Sequence, residues 1–108
     1  MLRDLPQMNS ASLREMAVQT STMLISSVEA YVEQDEEKAR AVIRQDDVVD
    51  DLFVTVKREM IEAIQKNSDC SETAADLLMA AKYFERIGDH ATNIAEWTLY
   101  ALTGRHED

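Results

Sequence analysis

Apolar positions recur at alternating steps of three and four residues in three long stretches of the chain, and short polar segments separate them. That spacing predicts three amphipathic helices. The last is the cleanest: from Leu77 to Leu102 there is no proline and one glycine, and Leu77, Ala80, Phe84, Ile87, Ala91, Ile94, Thr98 and Ala101 form a seam. In the middle stretch, predicted to be helical over 36 to 65, the seam is Ala39, Val42, Asp46, Val49, Phe53, Val56, Met60 and Ala63. The first stretch offers Leu13, Ala17, Thr20, Leu24, Val28 and Tyr31, flanked by Met16 and Met23. Its opposite face is soft and polar, with Gln19, Ser21, Thr22, Ser26 and Ser27.

The punctuation agrees with three helices. Ser12-Leu-Arg-Glu15 matches a capping box, with Asn9 or Ser10 as earlier alternative starts. The first helix ends near Glu33, and Gln34-Asp-Glu-Glu-Lys38 supplies a turn followed by an acidic first turn that suits the positive end of a helix dipole. Asn67-Ser-Asp-Cys-Ser71 is a polar stop in which Asp69 or Ser71 can cap the last helix, and Gly104 is placed to end it. Residues 1–9, which contain Pro6, read as a lead-in, 10–104 as the domain and 105–108 as a tail. Helices of about 22, 30 and 33 residues joined by short links give an all-α, antiparallel up-down-up three-helix bundle about 50 Å long. Ala81, Gly88 and Ala95, seven apart, allow close helix approach. So thin a core is expected to pair with a second copy of itself or with another repeat.

Charge narrows the function. The 108 residues carry 21 acids against 11 basic residues, net −10, which argues against a nucleic-acid backbone or an anionic membrane as the main partner. The lone Cys70 reads as an ordinary thiol of a reducing compartment. MLRDLPQ lacks an apolar core of signal-peptide length and no apolar run is long enough to span a membrane, so a cytoplasmic location is expected. No nucleophile stands beside a base and there is no glycine-rich phosphate loop, so an enzyme is not expected. Trp97 and Tyr100 suit packing or oligomer contacts.

The acids are patterned. Asp46 interrupts an apolar seam, where an unpaired carboxylate is costly unless protonated, hydrogen-bonded, exposed at the edge or bound to a cation. Asp50 lies one turn on, with Asp47 and Asp51 alongside; in the third stretch Glu85, Asp89 and Asn93 repeat the four-residue step. Such pairs arise readily on a solvated acidic face. They are also candidate oxygen ligands, for which Mg, Mn, Fe or Ca suit better than a closed structural zinc site, although carboxylates do bind Zn. An antiparallel pairing can bring the second helix's acids towards the third. His90 and Arg86 are offset from this stripe and read as edge residues.

The run Glu85-Arg-Ile-Gly-Asp-His-Ala-Thr-Asn-Ile-Ala-Glu96 resembles the signature of the PhoU family of bacterial phosphate-signalling regulators, and Asp46-Asp-Val-Val-Asp-Asp-Leu-Phe53 is similar to that family's second-helix motif. The resemblance covers essentially the whole chain as one three-helix repeat, similar to the carboxy-terminal half of the family's usual tandem. It implies that Asp46 and Asp50, with Glu85 and Asp89, match acidic motifs that can hold divalent or trivalent metal; Asn93 matches the signature asparagine. Lys82-Tyr83-Phe84 departs from the family's frequent arginine and leucine but keeps a basic and a bulky apolar group. The function implied is adaptor-like, linking the phosphate ABC transporter to a sensor histidine kinase. A metal-independent helical dimerisation module is the alternative expectation.

Overall fold

The computed structural model describes residues 10–104; the predicted lead-in and tail lie outside the described residues. Helix α1 spans Ala11–Glu33, α2 spans Glu36–Lys66 and α3 spans Ser71–Thr103, with a 3-10 turn, Ser68–Cys70, before the last. Each helix packs on both others in a slender bundle measuring 53 × 23 × 15 Å, and no strand occurs among the described residues.

The caps explain the boundaries. Ser10, one of the alternative starts, is the N-cap of α1, and its Oγ accepts from the Leu13 N–H at 3.0 Å. Ser12 is left free of that task and donates to Glu59 at 3.2 Å, beside the 2.9 Å bond from Ser10 to the same carboxylate, so the start of α1 is tied to α2. Asp35 caps α2 through the Lys38 N–H, with Glu36 and Glu37 in the first turn as expected. The α1–α2 link is tight because Gln34 takes the left-handed conformation at φ 56°. The expected caps of the last helix are corrected: neither Asp69 nor Ser71 caps α3. Asn67 accepts from the Asp69 N–H to cap the 3-10 turn, which feeds straight into α3. Cys70 seals this link; it is buried, and its Sγ donates to the Asn67 carbonyl at 2.9 Å. Gly104 ends α3 at φ 77°.

The α2 seam emerges as read, with Ala39, Val42, Val49, Val56 and Met60 buried and Asp46, Phe53 and Ala63 at its edge. The other two seams are rotated from expectation. On α1 the buried residues are Met16, Thr20, Met23, Ser27 and Ala30, whereas Leu24, Val28 and Tyr31 are exposed. On α3 the line Leu77, Ala81, Gly88, Ala91, Ala95 and Thr98 is buried, Ile87 and Ile94 are half-buried and Ala101 is exposed. The cause is the small-residue stripe. A Cβ built on Gly88 would lie 3.6 Å from Thr20 Cγ2 and 3.8 Å from both Met23 Sδ and Val49 Cγ1, so both partner helices meet α3 at its narrowest line. Backbones brought close together leave room for Ala, Ser and Thr between them, and bulkier groups move to the flanks. The buried hydroxyls are satisfied locally: Thr20 donates to Met16, Ser27 to Leu24 and Thr98 to Ile94.

Candidate functional site: an acidic groove

The central line of α3 divides that helix into two flanks, and the acids lie on the flank towards α2. Asp46 and Asp50 are one turn apart on α2, and Glu85 and Asp89 one turn apart on α3. Antiparallel packing brings the two pairs into one electrostatic cluster. Loss of water around Asp46 lifts its carboxyl above the usual range, and the charges of Asp50, Asp89, Asp47 and Glu85 push the same way. Asp50 is more exposed, yet partial desolvation followed by repulsion from Asp89, Asp47 and Asp51 raises it too. Glu85 is raised by desolvation and then by Asp50 and Asp89, with Lys82 and Lys57 opposing. Lys57 also lies over the Phe53 ring, 5.5 Å from its centroid, at the edge of the same groove.

Among the described residues, one buried side-chain oxygen is left without a partner: Asp46 Oδ1 accepts no hydrogen bond. A buried acceptor in that state costs about 1–3 kcal/mol unless something donates to it or coordinates it. This is the structural form of the anomaly in the α2 seam. The donor set around it is all oxygen and strongly acidic, which fits a hard cation. Among the described residues, however, no three His, Cys, Asp or Glu side chains converge closely enough to hold a metal ion in the rotamers seen. The backbone juxtaposes the two motifs, and the side chains do not close on a common point.

The remaining sequence candidates fall outside the cluster's centre. Asn93 lies one turn beyond Asp89 and is exposed; Arg86 and His90 are exposed on the other side of α3's acidic stripe. Trp97 and Tyr100 are exposed as well, Trp97 beside α1 residues rather than in the core. Sequence reasoning missed the face to which Trp97 belongs. Its signal was the charge-free run from Met16 to Val28 in a chain this acidic.

The family model described as the PhoU domain matches residues 13–98, which include all three helical faces and both acidic pairs. A phosphate-specific transport system accessory protein PhoU homolog of Clostridium acetobutylicum is 34% identical over 93 residues, covering 86% of this chain and 42% of the relative. One of the same description from Zymomonas mobilis is 38% identical over 90 residues, covering 83% of this chain and 38% of the relative. A third, homolog 1 of Thermotoga maritima, is 31% identical over 94 residues, with 87% and 40% covered. The chain spans about two fifths of the length of the curated relatives it matches. No helix among the described residues is long and apolar enough to cross a membrane.

Proposed function

The chain belongs to the PhoU family, and on that footing we propose that it is a regulatory domain of phosphate uptake and phosphate-starvation signalling that works in the cytoplasm by protein contact. The observation that carries this reading is the meeting of the family's two acidic motifs in one groove between α2 and α3. The relatives are named as accessory proteins of a phosphate-specific transport system. By that likeness the proposed partners are a phosphate ABC transporter and the sensor histidine kinase coupled to it. A second copy of the chain is the proposed structural partner.

Within this reading Asp46, Asp50, Glu85 and Asp89 hold a divalent or trivalent cation such as Fe, Mn, Mg or Zn, with Asn93 as a neighbouring oxygen donor. The unpartnered Asp46 Oδ1 and the all-oxygen donor set support it; the side chains need to rotate from their present rotamers to close on an ion. Bound there, a cation supplies positive charge to a groove that otherwise repels anions. The carboxylates' own part is to fix the spacing of α2 against α3 and to present a face whose charge depends on occupancy. Such a face can be read by a partner protein or by phosphate itself.

Calorimetric titration of Mn²⁺ and Fe³⁺ into the chelator-treated chain tests this directly. Wild type is expected to bind with saturation, and Asp46→Ala and Glu85→Ala to bind at least about tenfold more weakly. Equal, non-saturating binding by all three proteins would remove the metal from the proposal. The exposed apolar flank of α1 favours the second reading, a metal-independent dimerisation module. Melting that depends on protein concentration and not on chelator would select it.

A further inference from the structure

The acidic side of α2 continues in steps of four, three and four residues, from Asp46 and Asp50 to Phe53 and Lys57. All four therefore share one side of the helix. A Cβ built on Gly88 of α3 would lie 3.8 Å from Val49, and counting away from that contact in the antiparallel sense sets Glu85 level with Leu52. Phe53 and Lys57 thus stand just past Glu85, at the end of the groove nearest the α2–α3 link. The Lys57 ammonium lies over the Phe53 ring, 5.5 Å from its centroid. Lys57 makes no ion pair among the described residues. One turn away on its own helix are Phe53, Val54, Met60 and Ile61, none of them acidic. Its charge nevertheless reaches the groove, where it and Lys82 of α3 oppose the upward push on Glu85. Lys82 differs in having Glu85 itself one turn along its helix and no aromatic residue at that step.

We propose that the Phe53 ring is a seat that holds the Lys57 ammonium out of the acidic groove, and so keeps Asp46, Asp50, Glu85 and Asp89 open to an external multivalent cation. This rests on the cation site of the proposed function and gives two residues beside it a positioning role. A compact ammonium on a flexible stem, this close to four carboxylates, is a resident competitor: swung inward, it takes part of the space and the charge that a metal ion would use. A ring contact at an exposed site and an exposed ion pair are of similar strength. The ring is therefore enough to decide where a mobile ammonium spends its time. Phe53 is half-buried and packs against the core, which fixes the ring, while Lys57 is exposed and its ammonium is free to move. An incoming cation then binds with an affinity reduced by the fraction of molecules in which Lys57 already occupies the carboxylates. Neither residue is a ligand; the pair acts on access to the ligands.

Calorimetric titration of Mn²⁺ into the chelator-treated 108-residue chain, Phe53→Leu, Lys57→Met and the double variant tests the seat. Phe53→Leu is expected to raise the Kd about three- to fivefold, and to leave it unchanged when residue 57 is already Met. A second readout needs no metal. In the wild type the ring current should hold the Lys57 ε-methylene protons upfield of those of the other lysines in the NMR spectrum. In Phe53→Leu that shift should vanish and their nuclear Overhauser contacts should move to Glu85. An equal loss of affinity with or without Lys57 means that the ring acts through packing, and overturns the seat. An unchanged Kd in Phe53→Leu, or unshifted Lys57 protons in the wild type, overturns it as well. In each of these cases saturable wild-type binding leaves the cation site standing. A wild type that binds no Mn²⁺ with saturation removes the site and the seat together.

Discussion

Helix α3 presents two flanks of opposite chemistry. Towards α2 it joins a groove of carboxylates, three of them held above their ordinary range by lost water and mutual repulsion. Towards α1 it joins a groove lined by Val28, Tyr31, Ile94 and Trp97, none of them charged. Between the two runs the line of Ala81, Gly88 and Ala95 against which both partner helices close. Both flanks are unfinished as single-chain surfaces, and for opposite reasons: one has charge without counter-charge, the other apolar area without cover. The line of small residues keeps the two surfaces apart on opposite sides of α3.

The largest expected effect comes from attacking that line. Gly88→Leu forces a branched side chain against Thr20, Met23 and Val49 together and should cost about 3 kcal/mol in urea unfolding, collapsing the distinction between the flanks. Gly88→Ala, whose Cβ meets only ordinary contacts, should be neutral or raise stability by up to ~1 kcal/mol through helix propensity. Next, pH separates the flanks. Asp46, Asp50 and Glu85 bind their protons more tightly in the folded chain than in the unfolded one. Their stabilising contribution is therefore complete below about pH 4 and is lost as pH rises through the raised values. In metal-free buffer the melting temperature should fall over that window. Asp46→Asn should make the fall shallower, and Trp97→Ala should leave it unchanged. The smallest effect tests the link that sets α1 against α2. Gln34→Gly removes a left-handed non-glycine residue and should raise stability by about 1 kcal/mol in thermal melting, with both flanks intact.

The parts of the fold that hydrogen bonds and charges define were legible in the chain. Asp35, Gly104 and the polar link at Asn67 mark boundaries because capping is local chemistry. The acidic groove was legible for a similar reason: a four-residue step puts carboxylates on one face whatever else the helix does, and Asp46 stands out against the apolar α2 seam. The buried faces of α1 and α3 were only partly legible: the seven-residue spacing of Ala81, Gly88 and Ala95 gave the line of close approach and Leu77, Ala91 and Thr98 lay in the expected seam, whereas hydrophobicity did not rank these small residues above their bulkier neighbours. Ser27, Ala30, Ala81 and Gly88 weigh little on an apolar scale, yet the core closes on them because small side chains permit close axes. The convergence of side chains on one point was not legible either. Spacing fixes Cα positions along a helix, whereas rotamers answer to neighbours on another element.

Helix α1 carries apolar groups on the arc it buries and on the adjoining arc it exposes. A turn of the helix about its own axis by one residue step, about 100°, would trade one set for the other with little change in the total apolar area withdrawn from water. The hydrophobic effect is non-directional and does not choose between such settings. The bond from Gln45 to Gln19 and the bonds from Ser10 and Ser12 to Glu59 do, because each is made at only one angle of α1 relative to α2. Rotational fidelity in this bundle is therefore vested in a few half-buried polar contacts worth about 1 kcal/mol each. Losing them would re-aim the helix without unfolding it.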